Sequence, residues 1–279
     1  MQYHQLHSSV SDLLSIDGKL ETQLLFGERF LYNKEKKCYA YSQIVYDQFC
    51  DVWRPYPGYI SKELNLFATS FIAPNAVVKT LNAFLEPWHL PLPYGSPLFV
   101  DTSGKVCLPK NSLSLLDGEV FCDLKHLRFL NEPFSLANLL KESELFLDFP
   151  YLWGGRCVHD CFPNYGVDCS GLIHILFQAN GWSIPRNSRD QYRDCIFIDS
   201  FQNLPLGGCV FLQEDHEPHI SHIMLKTGSK LLIHALQSLG KIIHFEIGKD
   251  GEFTKDRFYF HKKEGKAFFG VPKKRKAFF

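Results

Sequence analysis

The chain has 279 residues, 45% apolar and 22% charged, the composition of a globular protein large enough for two or three domains. Thirty basic and thirty acidic residues cancel, so no overall field recruits nucleic acid or an anionic membrane. No apolar run is long enough to span a bilayer, the start MQYHQLHSSVSDLLS lacks the features of a signal peptide, and nine cysteines without a regular framework fit a reducing compartment, so a cytoplasmic location is expected.

Residues 1–67 hold short apolar runs broken by turns, LETQLLFGERFLY and CYAYSQIVYDQFCDVW, followed by a Pro55, Pro57, Gly58 cluster that reads as a turn. Aromatic and β-branched residues in short pieces predict a small all-β unit. Residues 68–130 repeat the style in LPLPYGSPLFV, VCLPKNSL and LLDGEVFCDL, which predicts a second all-β unit. From Asn131 the texture changes. Ser135 as a cap and Leu136, Leu139 and Leu140 at helical spacing predict an amphipathic helix over 135–148. The crowded Cys157, His159, Asp160 and Cys161 suggest zinc ligands, but no second matching pair accompanies them, and a surface loop is the expectation.

Residues 165–181, YGVDCSGLIHILFQANG, are the centre of the chain. Turn-prone residues deliver Asp168, Cys169, Ser170 and Gly171 into an apolar run that stops at Asn180-Gly181, so Cys169 stands at a helix start. Backbone N–H groups and the helix dipole favour an anion there, which suits a nucleophilic thiol; a core cysteine suits the same position. Residues 220–236, ISHIMLKTGSKLLIHAL, read as a β-hairpin turning at Thr227-Gly228-Ser229, with His222 on its first strand and His234 on its second. A cysteine at a helix start and two later histidines are the material of a triad: Cys169 attacks, His222 moves the proton and His234 orients His222. Four β runs, GGCVFL, ISHIMLK, KLLIHAL and KIIHFEI, after the helices predict an α+β domain over 131–263. The last residues, 264–279, read as a loose basic tail.

PYLWGG at 150–155, GVDCSGL at 166–172, IPRNSRDQ at 184–191 and the paired His222 and His234 together resemble the NlpC/p60 family of papain-like cell-wall peptidases. That resemblance implies a papain-like peptidase domain behind two bacterial SH3-like barrels, with Cys169, His222 and His234 as catalytic residues. It also implies that Tyr151, Asp168, Ser170 and Ser188 line the substrate pocket, with Tyr56 and, more distantly, Glu28 contributing from the first barrel. The implied reaction is hydrolysis of the γ-D-glutamyl to meso-diaminopimelate bond in murein peptides, with Asp168 and Tyr56 holding a free N-terminal amine; capping the helix is the alternative role for Asp168. No cofactor, metal or nucleic acid is expected, and a monomer is. Gly208-Cys209 and Met224 depart from the family pattern.

Three rivals stand beside this reading: a binding module built on the barrels, a metal hydrolase using His216, His219 and His222, and an amidase or acyltransferase on the same thiol scaffold. Pro218 makes the histidine segment a loop, where this spacing scatters ligands.

Overall fold

The computed structural model describes the chain apart from residues 1, 34, 36, 61–66, 69, 110–117, 163–164, 255, 261–262 and 274–279. Seven antiparallel strands make the first unit, in the spatial order Leu20–Leu25, Val10–Leu14, Val52–Ile60, Lys37–Asp47, Arg29–Tyr32, Gln2–Leu6 and Phe67–Ala68. Alternation along Lys37–Asp47 and Val52–Ile60 drives Cys38, Ala40, Tyr56 and Ile60 into its core with Leu6, Leu13, Leu24 and Phe30. The Pro55–Gly58 segment is therefore strand, not turn. Pro55 is tolerated because it pairs with Ile44 at the point where the register shifts from Ala40, a bulge at which the ladder does not require every N–H.

The second unit is built from shorter pieces. The strand Ala76–Val78 lies between Pro97–Leu98 and Leu127–Phe129, and two further strand pairs, Ala83–Leu85 with Leu90–Leu92 and Lys105–Val106 with Val120–Phe121, complete it. All three small sheets share one core that also takes Phe26 from the first unit.

The third unit is α+β. Helix α1 (Leu136–Ser143) starts where Ser135 Oγ accepts from Asn138 N at 3.2 Å, and it ends earlier than expected because a 3-10 turn, Glu144–Phe146, takes over. Helix α2 (Cys169–Ala179) is buried along its whole length, and α3 (Ser188–Arg193) is a short third helix. Strand order in the sheet is Lys241–Glu246, Leu231–Leu236, His222–Lys226, Cys209–Glu214, Lys263–Pro272, Arg257–Phe260 and Gly251–Phe253, with Cys195–Ile198 also on the Lys263 strand. The four expected β runs are all present. The expected loose tail is corrected: Lys263–Pro272 runs up the middle of the sheet, pairing with Cys209–Glu214, because Gly265, Ala267 and Phe269 alternate inward between its lysines. Residues 274–276, the rest of the basic run, lie outside the described residues. Among the described residues no helix is long and apolar enough to cross a membrane.

The three units meet on α2. Gln178 Nε2 donates to Glu28 Oε1 of the first unit and to Gly95 O of the second, both at 3.0 Å. Arg156, fully buried, donates to both oxygens of Glu28 at 3.1 and 3.0 Å and to Gln178 Oε1 at 3.0 Å. A guanidinium can sit in such a core only because its donors meet a carboxylate and amide oxygens. Glu28 is thus part of the interior joint and not a substrate contact.

Candidate active site

Asp168 caps α2: in an extended conformation, its Oδ1 accepts from Gly171 N at 2.6 Å, which fixes Cys169 as the first helical residue. N–H groups of this first turn have no intrahelical acceptor; Gly171 N goes to the cap, and Ser170 N, with Ile223 N, donates to the thiol sulfur. Gly171 allows the approach: a Cβ there would stand 2.3 Å from Gly155 O, so a side chain would push the helix off the 154–155 loop.

The cap is held by a residue to which the sequence reading gave no role. Arg186, fully buried, donates through Nη1 to Asp168 Oδ1 at 3.0 Å and through Nη2 to Oδ2 at 2.8 Å. Gly154 N and Ser170 Oγ also donate to this carboxylate, both at 3.0 Å. Its five donors, Gly171 N included, take up its acceptor capacity. Asp168 therefore holds the helix start from inside the protein, and Ser170, which accepts from Arg186 Nη1 at 3.0 Å, is turned into the same network. Neither lines the cleft above Cys169. Arg186 Nε donates to Thr22 Oγ1 at 2.9 Å, so the first unit braces the site.

His222 begins its strand opposite Leu212, which places it over the start of α2. Its Nε2 shares a hydrogen bond of 2.7 Å with Nδ1 of His234. Nδ1 of His222 is then the nitrogen available to the thiol. His234 is fully buried, with its ring against Phe245 and Phe260, so its orientation is fixed by packing.

The electrostatics correct one expectation. The helix start was read as favouring an anion, but burial pushes the Cys169 thiol up to about 12, with the Asp168 charge adding to it. Backbone N–H groups of Ile223 and Ser170 and the Arg186 charge pull the other way and lose. Burial, helped by Lys263, pushes His222 down to about 4. Both shifts run against a resting thiolate–imidazolium pair, and His222 is placed to take the proton as the thiol attacks.

Cys169, His222, Tyr151 and Ser188 line one cleft of about 580 Å3. Burial and the nearby Cys169 and Asp168 push the Tyr151 phenol up, which keeps it protonated as a donor. Ser188 Oγ donates to Ile220 O at 3.5 Å. Tyr56 is not on this cleft. Its hydroxyl donates to Glu21 Oε2 at 3.0 Å in a separate groove that Asn187 and Arg189 also border.

Nor do the metal candidates converge. His216 lines the cleft while His219 faces a neighbouring pocket with Arg189 and Tyr192. The Cys157–Cys161 segment is a surface loop only at its end: Asp160 and Cys161 are exposed, but Cys157, Val158 and His159 are buried, and His159 Nε2 bonds Ala83 O at 2.9 Å. Among the described residues no three His, Cys, Asp or Glu side chains form a metal-ligating group. Cys209 and Met224 face the core, away from the cleft.

The cleft also holds Trp153, 63% exposed, and the charged Glu214, Glu217 and Lys263, to which the sequence reading assigned nothing. Trp153 lies inside the PYLWGG motif. Lys263 carries no signal in the sequence, because it stands where the domain gives way to the basic run.

A cysteine on a helix start facing a strand-borne histidine pair, with the helix packed on an antiparallel sheet, is the arrangement of a papain-like thiol hydrolase domain behind an all-β region. Residues 148–256 match the NlpC/P60 family, and the chain carries a domain of that family. The γ-D-glutamyl-L-lysine dipeptidyl-peptidase of Bacillus subtilis (strain 168) is 26% identical over 231 residues, 80% of this chain and 74% of that protein. The γ-DL-glutamyl hydrolase of the same organism is 31% identical over 101 residues, 36% of this chain and 23% of that protein. A solved NlpC/P60 family protein from Bacillus cereus ATCC 10987 covers 99% of both chains with a TM-score of 0.71 at 18% identity, which shows the same fold.

Proposed function

We propose that the chain is a cysteine peptidase that hydrolyses the γ-D-glutamyl to meso-diaminopimelate bond of murein peptides, acting as a monomer on released peptides in the cytoplasm during cell-wall turnover or recycling. The observation that carries this reading is Cys169 and the hydrogen-bonded His222 sharing one cleft, with His234 buried behind them. The B. subtilis relatives are described as acting on γ-glutamyl substrates, which supports the bond class.

His222 Nδ1 takes the thiol proton as Cys169 Sγ adds to the γ-carbonyl carbon, and N–H groups at the start of α2 receive the oxyanion. The imidazolium, steadied by His234, gives that proton to the leaving α-amine. The tetrahedral carbon then expels the amine and leaves a thioester. Water, deprotonated by His222, cleaves the thioester and restores the thiol. The preference for a free N-terminal L-Ala rests on the sequence resemblance, since Asp168 already holds five donors of its own protein.

Mass spectrometry of L-Ala-γ-D-Glu-meso-diaminopimelate after incubation with wild type and Cys169→Ala tests the reading. Release of diaminopimelate by wild type alone is expected; no cleavage by wild type overturns it. An N-acetylated copy tests the amine preference, which is lost if both peptides are cut.

A further inference from the structure

We propose that Glu214, Glu217 and Lys263 form the specificity site for the leaving diamino acid, reading an ammonium and a carboxylate carried on the far end of its side chain. The inference rests on the γ-glutamyl peptidase reading above and goes beyond it by assigning the residues that choose between a diaminopimelate-type residue and lysine.

Glu214 closes its strand and Lys263 opens the neighbouring one, so both stand at the same end of the sheet, and Glu217 lies in the loop that follows Glu214. Leu212 is the register partner of His222, and Glu214 lies two residues further along the same strand, opposite Gly265 of the Lys263 strand. Two residues of strand advance about 7 Å with the side chain on the same face, comparable to the carbon chain of a diamino acid whose α-amine leaves at His222. All three charged side chains line the cleft that holds Cys169.

Charge gives the reading its sign. Lys263 Nζ donates to Glu214 Oε1 at 2.8 Å, and Glu214 is nearly buried while Lys263 is half exposed. An ammonium has three donors, so Lys263 keeps others for a ligand carboxylate. Glu217, 46% exposed on its side chain, and Glu214 Oε2 supply acceptors for an ammonium, with the His216 ring 3.7 Å from both carboxylates. A cleft lined by both signs at this distance complements a zwitterionic carbon; the lysine side chain offers only the ammonium and leaves Lys263 without its carboxylate. Charge-assisted contacts of this kind discriminate strongly because the mismatched ligand loses the contact and still desolvates the site.

The test compares kcat/KM on L-Ala-γ-D-Glu-meso-diaminopimelate and L-Ala-γ-D-Glu-L-Lys for wild type, Lys263→Met, Lys263→Arg and Glu217→Gln. Lys263 also acts on His222, so the quantity that decides is the ratio of the two substrates at one pH. Wild type is expected to favour the diaminopimelate peptide by at least about tenfold, Lys263→Met to bring the ratio near one, and Lys263→Arg to retain most of it. Glu217→Gln is expected to slow both peptides through the shared ammonium. Equal cleavage of both peptides by wild type, or a ratio unmoved in Lys263→Met, overturns this site and leaves the peptidase reading standing. Cleavage of neither peptide by wild type overturns the reading and this site with it. Circular dichroism of each variant separates lost folding from lost selectivity.

Discussion

Arg186 grips Asp168 through both carboxylate oxygens, at 3.0 and 2.8 Å, in the interior directly beneath Cys169. This pair joins three things in one contact: the cap of the nucleophile's helix, the loop carrying Gly154 and, through Thr22, the first β unit.

Removing one partner of a buried pair strands the other charge. Arg186→Met is expected to lower unfolding stability by about 3–5 kcal/mol, read from urea denaturation. A loss below about 1 kcal/mol would show that water reaches Asp168 in solution.

Burial, and after it the Asp168 charge, hold the Cys169 thiol high, so iodoacetamide alkylation of Cys169 should rise roughly tenfold per pH unit between pH 6 and 9 without a plateau. A preformed ion pair would give a rate flat across that range. Asp168→Asn keeps a good cap, removes the negative charge and leaves Arg186 unopposed. In that variant the thiol titrates lower and the alkylation curve moves toward acid.

His234 acts through His222. Loss of the 2.7 Å bond in His234→Gln frees the His222 ring to adopt the wrong tautomer, and kcat is expected to fall on the order of 10–100-fold with little change in KM. Cys169→Ala should leave no turnover. A His234→Gln enzyme as active as wild type would remove His234 from the catalytic unit.

Acid should unfold the protein at milder pH than its carboxylates alone would set. Burial pushes His7 down to about 4, His222 to about 4, and His174 well below the ordinary 6.5. Each is neutral in the folded state and charges near 6.5 when unfolded, so the unfolded chain binds the extra protons. Stability is full above pH 6.5 and falls as pH drops from 6.5 toward 4. Urea midpoints at pH 7.5 and 5 measure it; a midpoint unchanged at pH 5 would show that these imidazoles are solvated.

Local features were legible along the chain. The cap and stop signals around Asp168 and Asn180-Gly181 set α2, and the alternating runs around Thr227-Gly228 set the hairpin that carries His222 and His234. These are short-range effects, carried by backbone capping and by the twofold and 3.6-fold periods of apolar residues. What each polar group faces depends on contacts between distant segments. Asp168 turned inward because Arg186 arrives from eighteen residues later, Glu28 because Arg156 and Gln178 enclose it, and Tyr56 was kept off the cleft by the strand it sits on. Lys263–Pro272 became an interior strand although it lies between lysines, because Cys209–Glu214, far back in the chain, pairs with it along its length. Such contacts depend on which charges end up close in a low-dielectric interior, and no period along the chain encodes that.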